Sequence, residues 1–165
     1  MWRMAIKEGD KIPESVKLKE MVDGKPTDVS LADLSKGKRV VLFAVPGAFT
    51  PTCSIKHLPG FLEHNAALRK KGADEIVCVA VNDVFVMDAW GKANNAAGKV
   101  RMLADGNGEF ARAIGLTMDG SGFGLGQRSQ RFAMIIRDGK VESLMVEPGP
   151  GLAASSAESV LQKLG

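Results

Sequence analysis

Cys53 is the residue of this sequence best placed to do chemistry, because of the turn that precedes it. The stretch VPGAFTPTC, residues 45–53, follows an apolar run and precedes a segment with helical spacing. A helix that starts near Pro51 or Thr52 puts Cys53 in its first turn, where unpaired N–H groups and the helix dipole favour an anion. The turn therefore predicts a thiolate, which is the reactive form of cysteine.

The other residues of the turn are predicted to shape the surroundings of the sulfur. Pro46 and Gly47 end the preceding strand and turn the chain. Thr50, three residues before Cys53, can direct its hydroxyl at the sulfur or at a substrate. Pro51 suits the first helical position because its missing N–H would have been unpaired there.

A reactive thiolate also needs a partner that stabilises charge in the transition state. Complete ionisation of a free cysteine raises the reactive fraction by only about 10- to 30-fold at neutral pH. A guanidinium near the sulfur would supply the further stabilisation of the transition state that an efficient enzyme needs. The candidates are Arg128 and Arg131, in QRSQRFAMII just before a predicted strand, and their spacing does not decide between them.

His57 follows Cys53 by four residues and would share a helix face with it. It could form a Cys–His nucleophilic pair, hold a metal together with Cys53, or simply pack or cap the helix. His64 and Cys78 lack the spacing that would complete a metal site. Cys78, in the middle of the apolar run EIVCVAV, is interpreted as a core residue.

The elements around the turn indicate an α/β domain. The apolar runs 39–45 and 75–81 suit buried strands, and the helical segment between them makes a βαβ unit with a parallel strand pair. A hairpin is predicted before this unit, at Asp23-Gly24, and another after it, at Asp138-Gly139.

Between the βαβ unit and the second hairpin we predict helices and a strand, with a long surface loop over the glycine-rich residues 117–129. Ser30 and Asn82-Asp83 are predicted to cap earlier helices, and Ser155 or Ser156 would cap a final one. No repeat or linker divides the 165 residues, so one domain over 1–165 is expected. The order of elements resembles a thioredoxin-like fold, a central mixed sheet with flanking helices and an N-terminal hairpin extension.

Composition narrows the classes of partner and location. Lys and Arg exceed Asp and Glu by 22 to 19, and the charges are scattered, which argues against nucleic acid. No apolar run approaches the roughly 20 residues of a membrane span. Two cysteines 25 positions apart fit a reducing compartment. We expect a cytoplasmic protein, or one of an organelle matrix if a transit peptide has been removed.

The sequence from Pro46 to Cys53 also contains a recognisable motif. PGAFTPTCS, with its P-x-x-x-T-x-x-C core, resembles the peroxidatic motif of peroxiredoxins. The longer string PGAFTPTCSIKHLPGF is similar to the type II, or peroxiredoxin-five, subfamily of atypical peroxiredoxins. The likeness continues through VNDVFVMDAWGK, VRMLADGNGEFARAIGL and RSQRFAMIIRDGKV, and it covers nearly the whole chain.

This resemblance implies a thiol peroxidase that reduces hydrogen peroxide and alkyl hydroperoxides without a bound metal or flavin. Cys53 would attack the peroxide and become a sulfenic acid. Thr50 would hydrogen-bond the peroxide, and Pro46 would shield the pocket. Arg128, matched to the family's essential arginine, would hold the thiolate and the developing oxyanion. Members of the subfamily commonly form homodimers.

One departure concerns the second thiol of the reaction. Some animal members carry a resolving cysteine in a stretch like GLTCSLA, whereas this chain reads GLAASSA, with Ala154 at that position. Cys78 matches a cysteine on a buried strand of plant and some bacterial members, and it would be a possible secondary thiol if the structure loosens. We hypothesise that an external thiol, from glutaredoxin with glutathione or from thioredoxin, resolves the sulfenic acid. The alternatives are a redox sensor or chaperone, and a cysteine hydrolase or transferase that uses Cys53 and His57.

Overall fold

The computed structural model describes residues 5–149 and 151–165, and a seven-stranded mixed sheet forms its centre. The sheet strands are β1 (Leu18–Val22), β2 (Lys25–Val29), β3 (Arg39–Val45), β4 (Glu75–Ala80), β5 (Arg101–Ala104), β8 (Phe132–Arg137) and β9 (Lys140–Val146). A small second sheet pairs β6 (Thr117–Asp119) with β7 (Gln127–Ser129). The helices are α1 (Leu31–Leu34), α2 (Leu58–Glu63), α3 (Asn65–Lys70), α4 (Val84–Ala93), α5 (Glu109–Ile114) and α6 (Ala157–Leu164).

The strand order β2-β1-β5-β4-β3-β8-β9 puts the two most apolar strands, β3 and β4, in the interior of the sheet. They pair in parallel, as the predicted βαβ unit requires, and β4 pairs in parallel with β5. The remaining pairs of the large sheet are antiparallel. The α/β prediction, with a central mixed sheet, flanking helices and an N-terminal hairpin, is therefore confirmed.

The predicted helix starts agree with the observed caps. Ser30 accepts a hydrogen bond from the Asp33 N–H, and Asp83 accepts one from Val86. Of the two serines offered for the last helix, Ser156 is the cap. Within the described ranges, every helix is too short or too polar to cross a bilayer.

The structure corrects the prediction for residues 117–129. That stretch contains β6, β7 and a 3₁₀ turn, Ser121–Phe123, instead of being one irregular loop. The short antiparallel pair was not predicted, because a strand is recognised from alternating apolar and polar residues over a longer run, and glycines interrupt that pattern here. The segment after Cys53 is also divided into two helices, α2 and α3, instead of one.

Candidate active site

The turn in front of Cys53 has the geometry that its sequence predicts. Helical backbone begins at Pro51, and Ser54 N–H donates to the Thr50 carbonyl at 2.9 Å. Residues Cys53–His57 then form a π-helical turn, in which the Leu58 N–H donates to the Cys53 carbonyl. Such turns occur mostly as single insertions in α-helices, and they are frequent at functional sites. The Cys53 side chain has no exposed surface in this conformation.

Arg131 supplies the cation at the sulfur. Its Nη2 donates to Cys53 Sγ at 3.1 Å, and the arginine side chain is itself almost fully buried. Arg131 directly precedes β8, whose first residue, Phe132, pairs with Ala44 near the end of β3. The residue before that pair therefore lies beside the turn that leaves β3.

The expectation that Arg128 lies against the sulfur is corrected by this geometry. Arg128 belongs to β7, and its guanidinium donates to backbone carbonyls of Leu125 at 2.8 Å, Val81 at 3.1 Å and Pro46 at 3.5 Å. The two arginines are three residues apart, but the chain passes from the small sheet to the large one between them. Arg128 therefore holds the loops around the site together, while Arg131 contacts the sulfur.

His57 does not act on Cys53 directly, because both of its ring nitrogens are occupied by other groups. Nδ1 lies 2.9 Å from Arg131 Nη1, and Nε2 lies 2.9 Å from the Ser155 carbonyl oxygen. Burial, opposed by the Ser155 hydrogen bond and reinforced by the charge of Arg131, lowers the pKa of His57 to about 4. This arrangement argues against a Cys–His nucleophilic pair.

Glu147 anchors the far side of the site. Its Oε2 accepts hydrogen bonds from Ala153 N at 2.9 Å and from both N and Oγ of Ser155 at 2.7 Å. Burial opposes ionisation of Glu147, but the hydrogen bonds from Ser155 and Ala153 outweigh it and keep its pKa below the usual range. Arg131, Glu147 and Ser155 were not singled out together by sequence reasoning, since 16 and 8 positions separate them.

The loop between β3 and Cys53 is tightly held. Thr50 Oγ1 donates to the Gly47 carbonyl at 2.6 Å, and Ala48 N–H donates to Asn82 Oδ1 at 2.9 Å. Phe49 has a φ of +65°, a left-handed conformation that is uncommon for a bulky residue and occurs where surrounding contacts enforce it.

A cavity of about 700 Å³ opens next to this loop. Pro46, Thr50 and Arg131 are among the residues that line it, and Arg131 also contacts the Cys53 sulfur. Much of the remaining lining is apolar, from Met118, Phe123, Leu125 and Pro148. The cavity is therefore suited to a small polar group attached to an apolar body.

Cys78 lies in β4 with no exposed surface, in the same layer of the core as Cys53. Burial, together with the nearby Cys53, raises the pKa of the Cys78 thiol well above its ordinary value. In this conformation Cys78 is a neutral packing residue, as the sequence suggested. Both cysteines are free thiols.

These residues form a site for nucleophilic displacement by sulfur. The guanidinium of Arg131 can stabilise negative charge on Cys53 and on an atom that approaches it from the cavity. The Thr50 hydroxyl donates its hydrogen to the Gly47 carbonyl, so its oxygen can still accept a hydrogen bond from a ligand in the cavity. Sulfur can supply two electrons to a bound electrophile at this site.

Comparison with known proteins assigns the chain to a family. The redoxin family model matches residues 7–161. Peroxiredoxin-2B of Arabidopsis thaliana is 50% identical over 135 residues, which cover 82% of this chain and 83% of that protein. The crystal structure of reduced Prx3 from Vibrio vulnificus in complex with hydrogen peroxide is 48% identical, with a TM-score of 0.93, and the alignment covers 97% of this chain and 99% of that one.

Peroxiredoxin 5 from Alvinella pompejana is 39% identical, with a TM-score of 0.83 over 96% of this chain and 97% of that chain. These likenesses confirm the thioredoxin-like fold that the order of elements suggested. They also agree with the motif around Cys53. The chain belongs to the redoxin family and is a type II peroxiredoxin, an enzyme that reduces peroxide at the expense of thiols.

Proposed function

We propose that the enzyme reduces hydrogen peroxide and alkyl hydroperoxides through Cys53, and that it belongs to the peroxiredoxin-five subfamily. The observation that carries this proposal is the 3.1 Å contact between Arg131 and the Cys53 sulfur beside an open cavity. The Vibrio protein with hydrogen peroxide bound supports the smaller substrate. The apolar lining of the cavity supports the larger ones.

In the proposed reaction the Cys53 thiolate attacks one peroxide oxygen, so that an S–O bond forms while the O–O bond breaks. The sulfur becomes a sulfenic acid, and the departing oxygen leaves as water or an alcohol after taking up a proton. Arg131 would stabilise the charge that moves from sulfur to the leaving oxygen. Thr50 would hydrogen-bond the peroxide, Pro46 would cover it, and Arg128 would hold the loop that carries both.

We further propose that an external thiol completes the cycle and that no cofactor is bound. A thiolate of glutathione with glutaredoxin, or of thioredoxin, would attack the sulfenic acid and release water. A second thiol would then free Cys53 and leave as a disulfide. The neutral, fully buried Cys78 supports external resolution, since the thiolate is the attacking form and needs access.

A peroxidase assay with two reductants tests these proposals. Consumption of hydrogen peroxide and of cumene hydroperoxide would be followed with glutaredoxin and glutathione, or with thioredoxin. We expect sustained turnover with at least one system and none for Cys53→Ser. A single stoichiometric oxidation would instead indicate a sensor. A Cys53–Cys78 disulfide as the main product in mass spectrometry would contradict external resolution.

We also propose a homodimer in the cytoplasm or an organelle matrix. Phe49 and Phe85 are 55% and 64% exposed, and Phe49 lies beside Trp90, 6.5 Å between ring centroids. An exposed apolar patch is typical of protein contacts, and we propose that both phenylalanines belong to the dimer interface. Sedimentation of Phe49→Glu should give a monomer where the wild-type enzyme gives a dimer; an unchanged dimer would place the interface elsewhere.

A further inference from the structure

The ring of His57 connects the cation at the sulfur to the C-terminal part of the chain. Arg131 Nη2 contacts the Cys53 sulfur, and the other terminal nitrogen, Nη1, lies 2.9 Å from His57 Nδ1. His57 Nε2 in turn lies 2.9 Å from the carbonyl oxygen of Ser155. The His57 side chain is only 1% exposed, so water does not compete for these bonds.

These two neighbours determine which nitrogen of His57 carries the proton. A guanidinium is a donor only, so Nδ1 must be the unprotonated nitrogen that accepts from Arg131. A carbonyl oxygen is an acceptor only, so Nε2 must carry the hydrogen and donate to Ser155. His57 is therefore neutral, with its proton on Nε2.

The surroundings of the ring favour the same state. The rings of Phe43 and Phe61 pack against His57, with centroid distances of 5.0 Å and 5.6 Å. The charged groups that act on it are Arg131, which disfavours protonation, and Glu147, which favours it. Burial is the largest influence, and it lowers the pKa of His57 to about 4.

The Ser155 carbonyl, which accepts the hydrogen bond from His57 Nε2, is itself fixed in place. Glu147 accepts three hydrogen bonds from Ser155 and Ala153, and Ser155 is completely buried. Glu147 N–H also donates to the Arg131 carbonyl at 3.0 Å. The hydrogen-bonded chain that starts at Cys53 therefore returns to the backbone of the arginine that contacts the sulfur.

We propose that His57 is a positioning residue for the peroxidase reaction: its Nδ1 lone pair orients Arg131 so that Nη2 points at the Cys53 sulfur, and the Ser155 carbonyl holds the ring in the required tautomer. The proposal rests on the proposed function, since orientation of Arg131 matters only if Cys53 reacts with peroxide. His57 takes no proton from Cys53. It acts only through the guanidinium.

The physical reason is the cost of an unpaired donor at a buried site. Without the lone pair of His57, Nη1 of Arg131 would lose its partner at a buried site, since Arg131 is only 7% exposed. The guanidinium would then turn toward the cavity, which it already lines, to regain hydrogen bonds with water. That rotation would take Nη2 away from the sulfur.

Three substitutions separate this role from simple packing. In His57→Asn the amide oxygen stands near the position of Nδ1 and can still accept from Arg131. In His57→Gln the amide nitrogen stands near the position of Nε2 and can still donate to Ser155. His57→Leu keeps comparable volume in the apolar surroundings and removes both bonds.

The first measurement is the second-order rate constant of each variant with hydrogen peroxide, with thermal unfolding as the check on folding. We expect the rate constant to fall about 10- to 100-fold in His57→Leu, because one oriented donor is lost at the sulfur. In His57→Asn it should stay within about 5-fold of the wild-type value, because the donor keeps its orientation. His57→Gln should resemble His57→Leu. A packing role predicts the opposite order, with leucine tolerated best, and that order would overturn the proposal.

The second measurement needs no peroxide. Nitrogen chemical shifts of His57 in the wild-type enzyme should show Nε2 protonated and Nδ1 unprotonated from about pH 5 to 8. A proton on Nδ1 in this range would overturn the proposal whether or not the enzyme reduces peroxide. If wild-type Cys53 reacts with peroxide no faster than a free thiol, the proposed function fails, while the nitrogen shifts still decide the arrangement of His57.

Discussion

At the scale of single residues, two arginines three positions apart have different contacts and so different expected roles. Arg131 donates to the Cys53 sulfur, whereas Arg128 donates to three backbone carbonyls of the surrounding loops. A guanidinium at a reacting atom stabilises the transition state directly. One that holds loops acts only through the position of other groups.

Substitution of the two arginines by glutamine should therefore have unequal effects. We expect Arg131→Gln to lower the rate constant for hydrogen peroxide about 100- to 1000-fold, as is typical for loss of one charge-stabilising donor. Arg128→Gln, the matched control, should lower it less, because Cys53 and Arg131 remain in contact. Stopped-flow measurement of sulfur oxidation would check this, and a larger loss for Arg128→Gln would refute the assignment.

At the scale of elements, the loop from Pro46 to Thr52 determines how the sulfur is presented. A Cβ atom on Gly47 would lie 3.1 Å from Thr50 Cγ2 and 3.2 Å from Arg128 Nη1, which is closer than nine in ten real Cβ contacts. The absence of a side chain at Gly47 lets the turn close around both groups. The π-helical turn that follows places Cys53 and His57 on either side of Arg131.

The substitution Gly47→Ala should disturb this loop without exposing the core. We expect Thr50 and Arg128 to shift by a few tenths of an ångström and the peroxidase rate constant to fall about 3- to 10-fold, since small misplacements of positioning groups are costly. Gly122→Ala is the control, because a Cβ there meets no atom within 4 Å. Equal rates for the two variants would show that the loop tolerates the added methyl group.

At the scale of the whole molecule, the sheet brings distant segments together around one buried site. Cys53 follows β3, Arg131 precedes β8, and Ser155 precedes α6. Antiparallel pairing of β3 with β8 sets Arg131 beside the turn, and pairing of β8 with β9 sets Glu147 beside Arg131. The neutral state of His57 is a consequence of this assembly, and it affects stability as well as activity.

The free energy of unfolding should therefore depend on His57 in a defined pH range. Its pKa is about 4 in the fold, whereas the ordinary pKa of histidine is 6.5, so the unfolded chain takes up the proton first as the pH falls. The contribution of neutral His57 to the free energy of unfolding is at its full value above about pH 6.5. It decreases toward about pH 4, by about 3 kcal/mol in total. Denaturant titrations across this range would measure the decrease.

In His57→Leu the decrease between these two pH values should be smaller by the same amount, because no imidazole titrates. Glu147, whose pKa is lowered, and Asp105, whose pKa is raised mainly by burial, titrate in both proteins. The difference between the two curves of unfolding free energy against pH therefore gives the contribution of His57. Parallel curves would mean that His57 titrates normally in the fold.

Local features of the structure agree well with sequence reasoning. Features that depend on neighbouring residues and on the spacing of apolar residues were predicted correctly. They are the hairpin at Asp23-Gly24, the parallel pair β3 and β4, and the caps Ser30 and Asp83. The short pair of β6 and β7 was missed, because three-residue strands among glycines carry little periodic signal.

The sequence by itself determined the position of the thiol, because a strand end, a turn and a helix start are specified within nine neighbouring residues. It also determined the α/β class and the motif of the family. Only the tertiary structure decided that Arg131 contacts the sulfur and that Arg128 does not, since this choice depends on the register of β8 against β3. The neutral tautomer of His57 likewise depends on Ser155, 98 residues away, through contacts that no local pattern encodes.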